Sequence, residues 1–366
     1  MRRALGVDKP LLLFIIALVI AGSLLFASAV FGELARGGLE MSSIALKQAL
    51  WIGVGLLALL IVSHLNYKIW RRLAPYLFGG ALIFTAAVFL PQLGFEHGGG
   101  RRWLSIFGFS VQPAEFLKTA SVIMAAAYFT AIRSRISDIR WGLGGLLCIL
   151  AGPVVILVLQ PDIGTLGVIV CAVLAIFFVA GAKFRDLLVI VLLGMVTVGV
   201  LSTFRPYVRD RVEVFLNPSQ APQAEGYQIR QSLIAIGSGG LIGRGFGQSV
   251  QKFTYLPEPM GDSIFAVMGE EFGFIGSVAL IGAFLALALR GFGVATRAPD
   301  PFGGLLAVGI STYLVAEAFI NIASMIGLAP LTGIPLTFMS QGGSAMLASL
   351  GSAGILLSVS RHTKKG

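Results

Sequence analysis

The chain has 366 residues, 56% of them hydrophobic and 12% charged, where soluble globular domains carry about 25% charged residues. That balance excludes an ordinary soluble enzyme, and the mean hydropathy of +0.89, with repeated apolar runs of about 20 residues, fits helices that cross a hydrocarbon core about 30 Å thick. The net charge of +10, from 27 basic and 17 acidic side chains, reports orientation in a membrane before it reports nucleic-acid binding, and no nucleic-acid partner is expected.

In chain order, MRRALGVDKP followed by LLLFIIALVIAGSLLFASAVF has the charges of a signal peptide, but its apolar stretch is too long, so it reads as a retained first span. Hydropathy then places spans near 11–31, 48–64, 75–91, 113–131, 142–160, 163–181, 186–204, 262–289, 303–325 and 342–360. The expected fold is all-α: one polytopic domain over 1–366, with ten transmembrane helices and a large extracytoplasmic loop at 205–261 between helices 7 and 8. Connections on the side of the N-terminus hold 16 Lys and Arg, against 4 in the short connections opposite. The positive-inside rule therefore puts both termini in the cytoplasm. Cys148 and Cys171 lie within apolar runs, where neither a disulfide framework nor a metal site can be built.

The segment 205–261 is too long for a passive connection and is mildly cationic, which points to an outward-facing function. Its run GSGGLIGRGFG lacks GK[ST] and follows no strand, so it reads as a flexible, water-exposed loop rather than a phosphate cradle.

Charge at bilayer depth costs about 2.5–3.5 kcal/mol and needs a reason. Glu115 and Lys118, Asp162, Asp262, Glu270 and Glu271, and Glu317 fall in or at the start of spans. QPAEF (112–116), QPDIGT (160–165) and LPEPMGD (256–262) each set Pro before an acid at the start of a helix that descends from the outer face. Single acids in such places complement the helix dipole, whereas three at one depth suggest a polar cavity open outward. Lys118 is too deep to be solvated and calls for a carboxylate, Asp162 first and Glu115 second. Glu270 and Glu271 point about 100° apart on a helix, and Glu317 and Asn321 share a face suited to hydrogen bonds between helices. In GGGRRWLSIF, Arg101, Arg102 and Trp103 suit either a surface anchor or a clamp on a diphosphate.

The segments GGRRWLSIFGFSVQPAEFLK (99–118), QPDIGT (160–165), GYQIRQSLIAIGSGGLIGRGFGQSVQKFTYLPEPMGDSIFAVMGEEFGFIG (226–276) and INIASMIGLAPLTGIPLTFMSQGGSAM (320–346) occur in one order along the chain. Together they resemble the SEDS (shape, elongation, division and sporulation) membrane proteins, FtsW and RodA, and GFGQSVQKFTYLPE is closer to FtsW. The family's usual SYGGSS is here SQGGSA, with Gln341 and Ala345; its TDF is Gly261-Asp262-Ser263 and its PLPF is Pro335-Leu336-Thr337-Phe338.

The resemblance implies a peptidoglycan glycosyltransferase in the bacterial cytoplasmic membrane. It would polymerise lipid II at the outer face, together with a class B penicillin-binding protein and other division or elongation proteins. An acceptor hydroxyl must displace undecaprenyl diphosphate, which asks for a base and for positive charge at the diphosphate. The resemblance implies Asp262 as base, ionised under the helix dipole. Arg102, Lys118, Arg244 and Lys252 are the candidate cations, and Glu115, Asp162, Glu258, Ser340 and Gln341 the further substrate-binding residues. No cofactor is certain; a divalent Mg or Mn ion could share the diphosphate charge, although no dedicated ligand cluster is visible. The rival readings are a lipid II flippase, which needs a polar path to the inner leaflet, and a scaffold in which the acids are dispensable.

Overall fold

A computed structural model describes residues 6–35, 41–97, 100–106, 108–216 and 223–363. Arg2, Arg3, Arg36, Lys364 and Lys365, which entered the charge count, lie outside these residues. The chain opens with α1 (Lys9–Ala35), α2 (Met41–His64) and α3 (Lys68–Ala86), then a small antiparallel sheet of β1 (Gly94–His97), β2 (Gly100–Ile106) and β3 (Phe109–Val111). Next come α4 (Ala114–Ala131), α5 (Gly142–Leu159), α6 (Ile163–Val179) and α7 (Phe184–Phe204). The segment 205–261 carries α8 (Pro206–Leu216), α9 (Gln223–Ser238) and the single turn α10 (Gln251–Thr254), and the chain ends with α11 (Ile264–Thr296), α12 (Pro301–Met325) and α13 (Gly343–Arg361).

Helices occupy each of the ten stretches that hydropathy singled out. Among the described residues eight helices are long and apolar enough to cross a membrane, and α6 is a shorter apolar helix. α12 sits at the centre, against α4, α6 and α11. Small residues let it do so: a Cβ on Gly309 would stand 2.5 Å from Ile176 and 2.7 Å from Val122, the close approach that helix pairs in lipid use. α13 runs along α2, and both α12 and α13 are buried over most of their length.

Three features depart from the all-α expectation or its loops. The sheet pairs Phe95 with Trp103 and Leu104 with Val111. Its strands are too short for hydropathy to find, yet their alternation turns Arg102 and Leu104 inward and Arg101 outward. Second, α11 is broken at Gly273, whose φ of 64° and ψ of −161° only glycine adopts readily. Third, the glycine run after α9 is not a free water-exposed loop. It packs on that break: Arg244 and Gly245 donate N–H bonds to the carbonyls of Glu270 and Glu271, while Phe274 and Ile275 donate to the carbonyls of Gly240 and Leu241. The break strips four backbone groups of their helical partners, and the glycine run satisfies all four. Leu241, Ile242 and Phe246 are exposed there beside Phe272, Phe274 and Ile275, so the turn presents an apolar surface.

One end of the bundle gathers the start of α1 and the ends of α11 and α13. Asp8 pairs with Arg290 at 2.9 Å and Arg297 at 3.3 Å, and its N–H donates to Ser360. Asp262 lies at the far end of α11.

Candidate active site

The turn 256–263 ahead of α11 is tied down from three sides. Asn321 on α12 donates from Nδ2 to the carbonyls of Asp262 (2.8 Å) and Ile334 (2.9 Å). Ser340 Oγ donates to the Gly261 carbonyl at 2.6 Å and accepts from Leu336 N–H. The Gln341 N–H donates to the Met260 carbonyl at 2.7 Å, while its side chain stays exposed. Glu258 and Phe338 hold positive φ values of 45° and 65°, strained backbone of the kind that persists where surrounding contacts enforce it.

Within this frame the Asp262 carboxylate accepts a side-chain bond from Gln228 Nε2 at 2.9 Å. Gln228 also donates to Ser263 Oγ. Asp262 does not cap α11; Ser263 stands at the cap position. Enclosure by protein raises the Asp262 pKa to about 6, with the Gln228 bond and Arg211 opposing the rise and the Glu258 charge adding to it. That reverses the expectation of a dipole-stabilised carboxylate, because the acid sits in the turn before the helix and loses more water than the helix end gives back. At pH 7 a carboxyl of pKa about 6 is about nine-tenths ionised and a stronger base than an ordinary Asp.

A cation that bears on it comes from an element the sequence reading did not resolve. On α8, Arg211 lies over the Tyr207 ring, 4.3 Å from its centroid, and bears on the Asp262 charge. Arg102 is nearly buried and donates to the carbonyls of Gln160 (3.2 Å) and Pro161 (2.6 Å) and to Tyr207 Oη (3.0 Å). It is neither a surface anchor nor a freely exposed clamp; it fastens the turn before α6 to the sheet and α8.

The remaining candidates separate into other places. Asp162 is buried, caps α6 through the Thr165 N–H at 3.2 Å and accepts from Gln112 Nε2 at 3.1 Å. Lys118 pairs with Glu115 at 2.8 Å and Glu317 at 2.5 Å, all three buried. The expected Lys118–Asp162 pair is therefore corrected. Asp162 is committed to its own helix end, and Glu317 comes from α12, which hydropathy alone could not align with α4. Glu115, Asp162 and Asp262 consequently do not line one open cavity; only Asp262 keeps partial exposure.

Arg244 and Lys252 fall in the frame of the α11 break. Lys252 Nζ is fully buried and donates to Glu271 (2.6 Å), Ser28 (2.7 Å) and the Gly247 carbonyl (2.9 Å), which uses its three N–H groups. Glu270 accepts from Ser249 Oγ and from the Val250 and Gln251 N–H groups at the start of α10, with Arg244 at 3.6 Å. Among the described residues no three His, Cys, Asp or Glu groups gather as a metal site. Glu258 and Asp262 are carboxylates close enough for their charges to repel.

Gln228, Arg211 and Tyr207 are the site residues that sequence reasoning missed. Their signal lay in the amphipathic segments of 205–261, which read as one loop.

Fold and site together define a polytopic helical membrane protein whose half-buried acid, bonded by Gln228 and near Arg211, sits at one end of a broken helix. The chain belongs to the FtsW/RodA/SpoVE family: the family model described as cell cycle protein matches residues 9–365. It is thereby an integral membrane protein. It is 38% identical over 320 residues to stage V sporulation protein E of Bacillus subtilis, covering 87% of each chain. It is 35% identical over 364 residues to a probable peptidoglycan glycosyltransferase FtsW of a Geobacter species, covering 100% of this chain and 99% of that one. Among solved structures, a chain of a peptidoglycan synthase complex that coordinates polymerization and crosslinking superposes with a TM-score of 0.80 at 27% identity, over 97% and 98% of the two chains. The rod shape determining protein RodA of Thermus thermophilus superposes with a TM-score of 0.72 at 26% identity, over 99% of each.

Proposed function

We propose that this chain is a peptidoglycan glycosyltransferase that polymerises lipid II at the outer face of the bacterial cytoplasmic membrane, during division or elongation. The observation that carries the reading is Asp262: a half-buried carboxyl of raised pKa, bonded from α9, on a backbone whose carbonyl is bonded from α12, with Arg211 close by. The ionised acid takes the proton of the acceptor hydroxyl as its oxygen attacks the donor's anomeric carbon. The bond from that carbon to the diphosphate breaks with inversion, and the charge passes to undecaprenyl diphosphate, where Arg211 answers it. Arg102 acts through Tyr207 and the turn at Gln160 as a positioning residue.

Both termini face the cytoplasm in this reading, which sets Asp262 outward, at the depth where a lipid-linked sugar lies beside its diphosphate. A class B penicillin-binding protein is the proposed partner, in keeping with the synthase complex that this chain resembles.

The buried Lys118–Glu115–Glu317 cluster is the observation that favours a lipid II flippase, since ionisable groups inside a bundle mark transport paths. Purified protein in detergent, with lipid II and no closed compartment, separates the two. Glycan strands on a gel support the transferase; lipid II left unconverted, with and without the partner, refutes it.

A further inference from the structure

At the end of the bundle that carries both termini, α4, α6, α11 and α12 part to leave a cavity of about 680 Å³, lined by Phe129, Phe178, Phe292, Leu305 and Val308. It extends along α12 from Asp300 to Thr312, about 18 Å at 1.5 Å per residue, which matches one leaflet of a hydrocarbon core about 30 Å thick. Phe178 and Val179 on its rim are 56% and 55% exposed, so the slot opens sideways from the bundle. Its length, apolar lining and lateral opening suit a fatty acyl chain rather than a water-soluble ligand.

The charge at its outer edge narrows the class of lipid. Arg133 lines the cavity, is exposed, and among the described residues meets no carboxylate. The acid opposite, Asp300, is already engaged: it caps α12 through the Gly303 N–H, accepts from Tyr67 Oη and lies 3.8 Å from Lys68. On the adjoining turn, Arg135 lies 5.6 Å from the Trp141 ring centroid and Lys183 donates to the Ser137 carbonyl, which fastens α7's start to this basic turn. An indole beside clustered cations is the arrangement found at headgroup depth.

We propose that this cavity is a site for an anionic phospholipid of the leaflet nearest the termini, with one acyl chain in the slot and the phosphate against Arg133. The lipid bridges α4, α6, α11 and α12 at the end opposite Asp262, so it ties the stability of the helices that carry Asp262 and Asn321 to the anionic content of the membrane. It takes no part in the reaction.

Native mass spectrometry of the delipidated full chain, titrated with phosphatidylglycerol and with phosphatidylcholine of the same acyl chains, tests the proposal. Phosphatidylglycerol should bind tighter by about fivefold, the preference expected from one basic side chain near an anionic headgroup. Arg133→Gln, at an exposed position, should erase that preference, and Ala175→Phe, which fills the slot from α6, should remove the bound lipid. The melting temperature gives a second measurement: phosphatidylglycerol should raise it for the parent chain and not for Arg133→Gln. Equal binding of the two phospholipids, a preference that survives Arg133→Gln, or undecaprenyl phosphate binding tighter than phosphatidylglycerol would overturn it.

Discussion

In the proposed reaction Asp262 is the base, and its environment makes two expectations at once. The acid limb of the glycan-forming rate should fall at an apparent pKa of about 6. Glu258→Gln removes a repelling charge and should move that limb to lower pH, whereas Gln228→Leu removes a bond that favours the carboxylate and should move it higher. A pH profile of each variant checks both signs. Stability carries the opposite sign: a carboxyl whose pKa is raised on folding contributes below its unfolded value near 3.8 and loses that contribution as pH rises through about 6. Asp262→Asn should therefore gain in melting temperature over the parent chain at pH 8 and gain little at pH 4, while losing glycan synthesis. The acid itself was legible in LPEPMGD, but the direction of its pKa was not. That direction comes from burial of the turn within the folded chain, while Gln228 and Arg211, 34 and 51 positions away and brought to it by the fold of α8 and α9, only oppose it.

Between elements, pairing decides which charges are structural. Lys118→Met would leave Glu115 and Glu317 buried without their cation, a loss of about 3–5 kcal/mol. In a double-mutant cycle on thermal stability, Lys118→Met and Glu317→Gln should couple by about 1–3 kcal/mol, whereas Lys118→Met and Asp162→Asn should be near additive. At the break in α11, Gly273→Ala should cost at least about 2 kcal/mol, because φ is 64° and a Cβ would stand 2.4 Å from the Gly243 nitrogen. Lys252→Met should destabilise similarly by stranding Glu271, and Lys252→Met with Glu271→Leu should recover part of the loss. Recovery of folded yield in the double variant would separate a structural Lys252 from a substrate-binding one. These pairs were beyond the sequence because Lys118 and Glu317 lie 199 positions apart. Hydropathy finds a helix but not its rotation, so it could not say which face of α12 meets α4. The break was hidden for a related reason: a single glycine in an apolar run reads as continuous helix until its φ is known.

For the whole molecule, the ten hydrophobic stretches were legible because burial in lipid demands length and apolarity, and helices occupy them all. The sheet was not, since strands of three to seven residues carry no such requirement. The proposed orientation, termini in the cytoplasm, rests on charge asymmetry. On a background with Cys148 and Cys171 replaced by Ala, Glu213→Cys on α8 should react with a membrane-impermeant maleimide in intact cells and Ser134→Cys should not; the reverse pattern would invert the topology. Glycosyl transfer by Asp262 to a lipid-linked sugar is checked by polymerisation of purified lipid II with the Asp262→Asn chain. That chain should be folded, inserted and bound to its penicillin-binding partner, and should make no glycan where the parent chain makes strands. Strands from Asp262→Asn at a rate within about tenfold of the parent, which corresponds to a barrier change of only about 1.4 kcal/mol, would contradict the account.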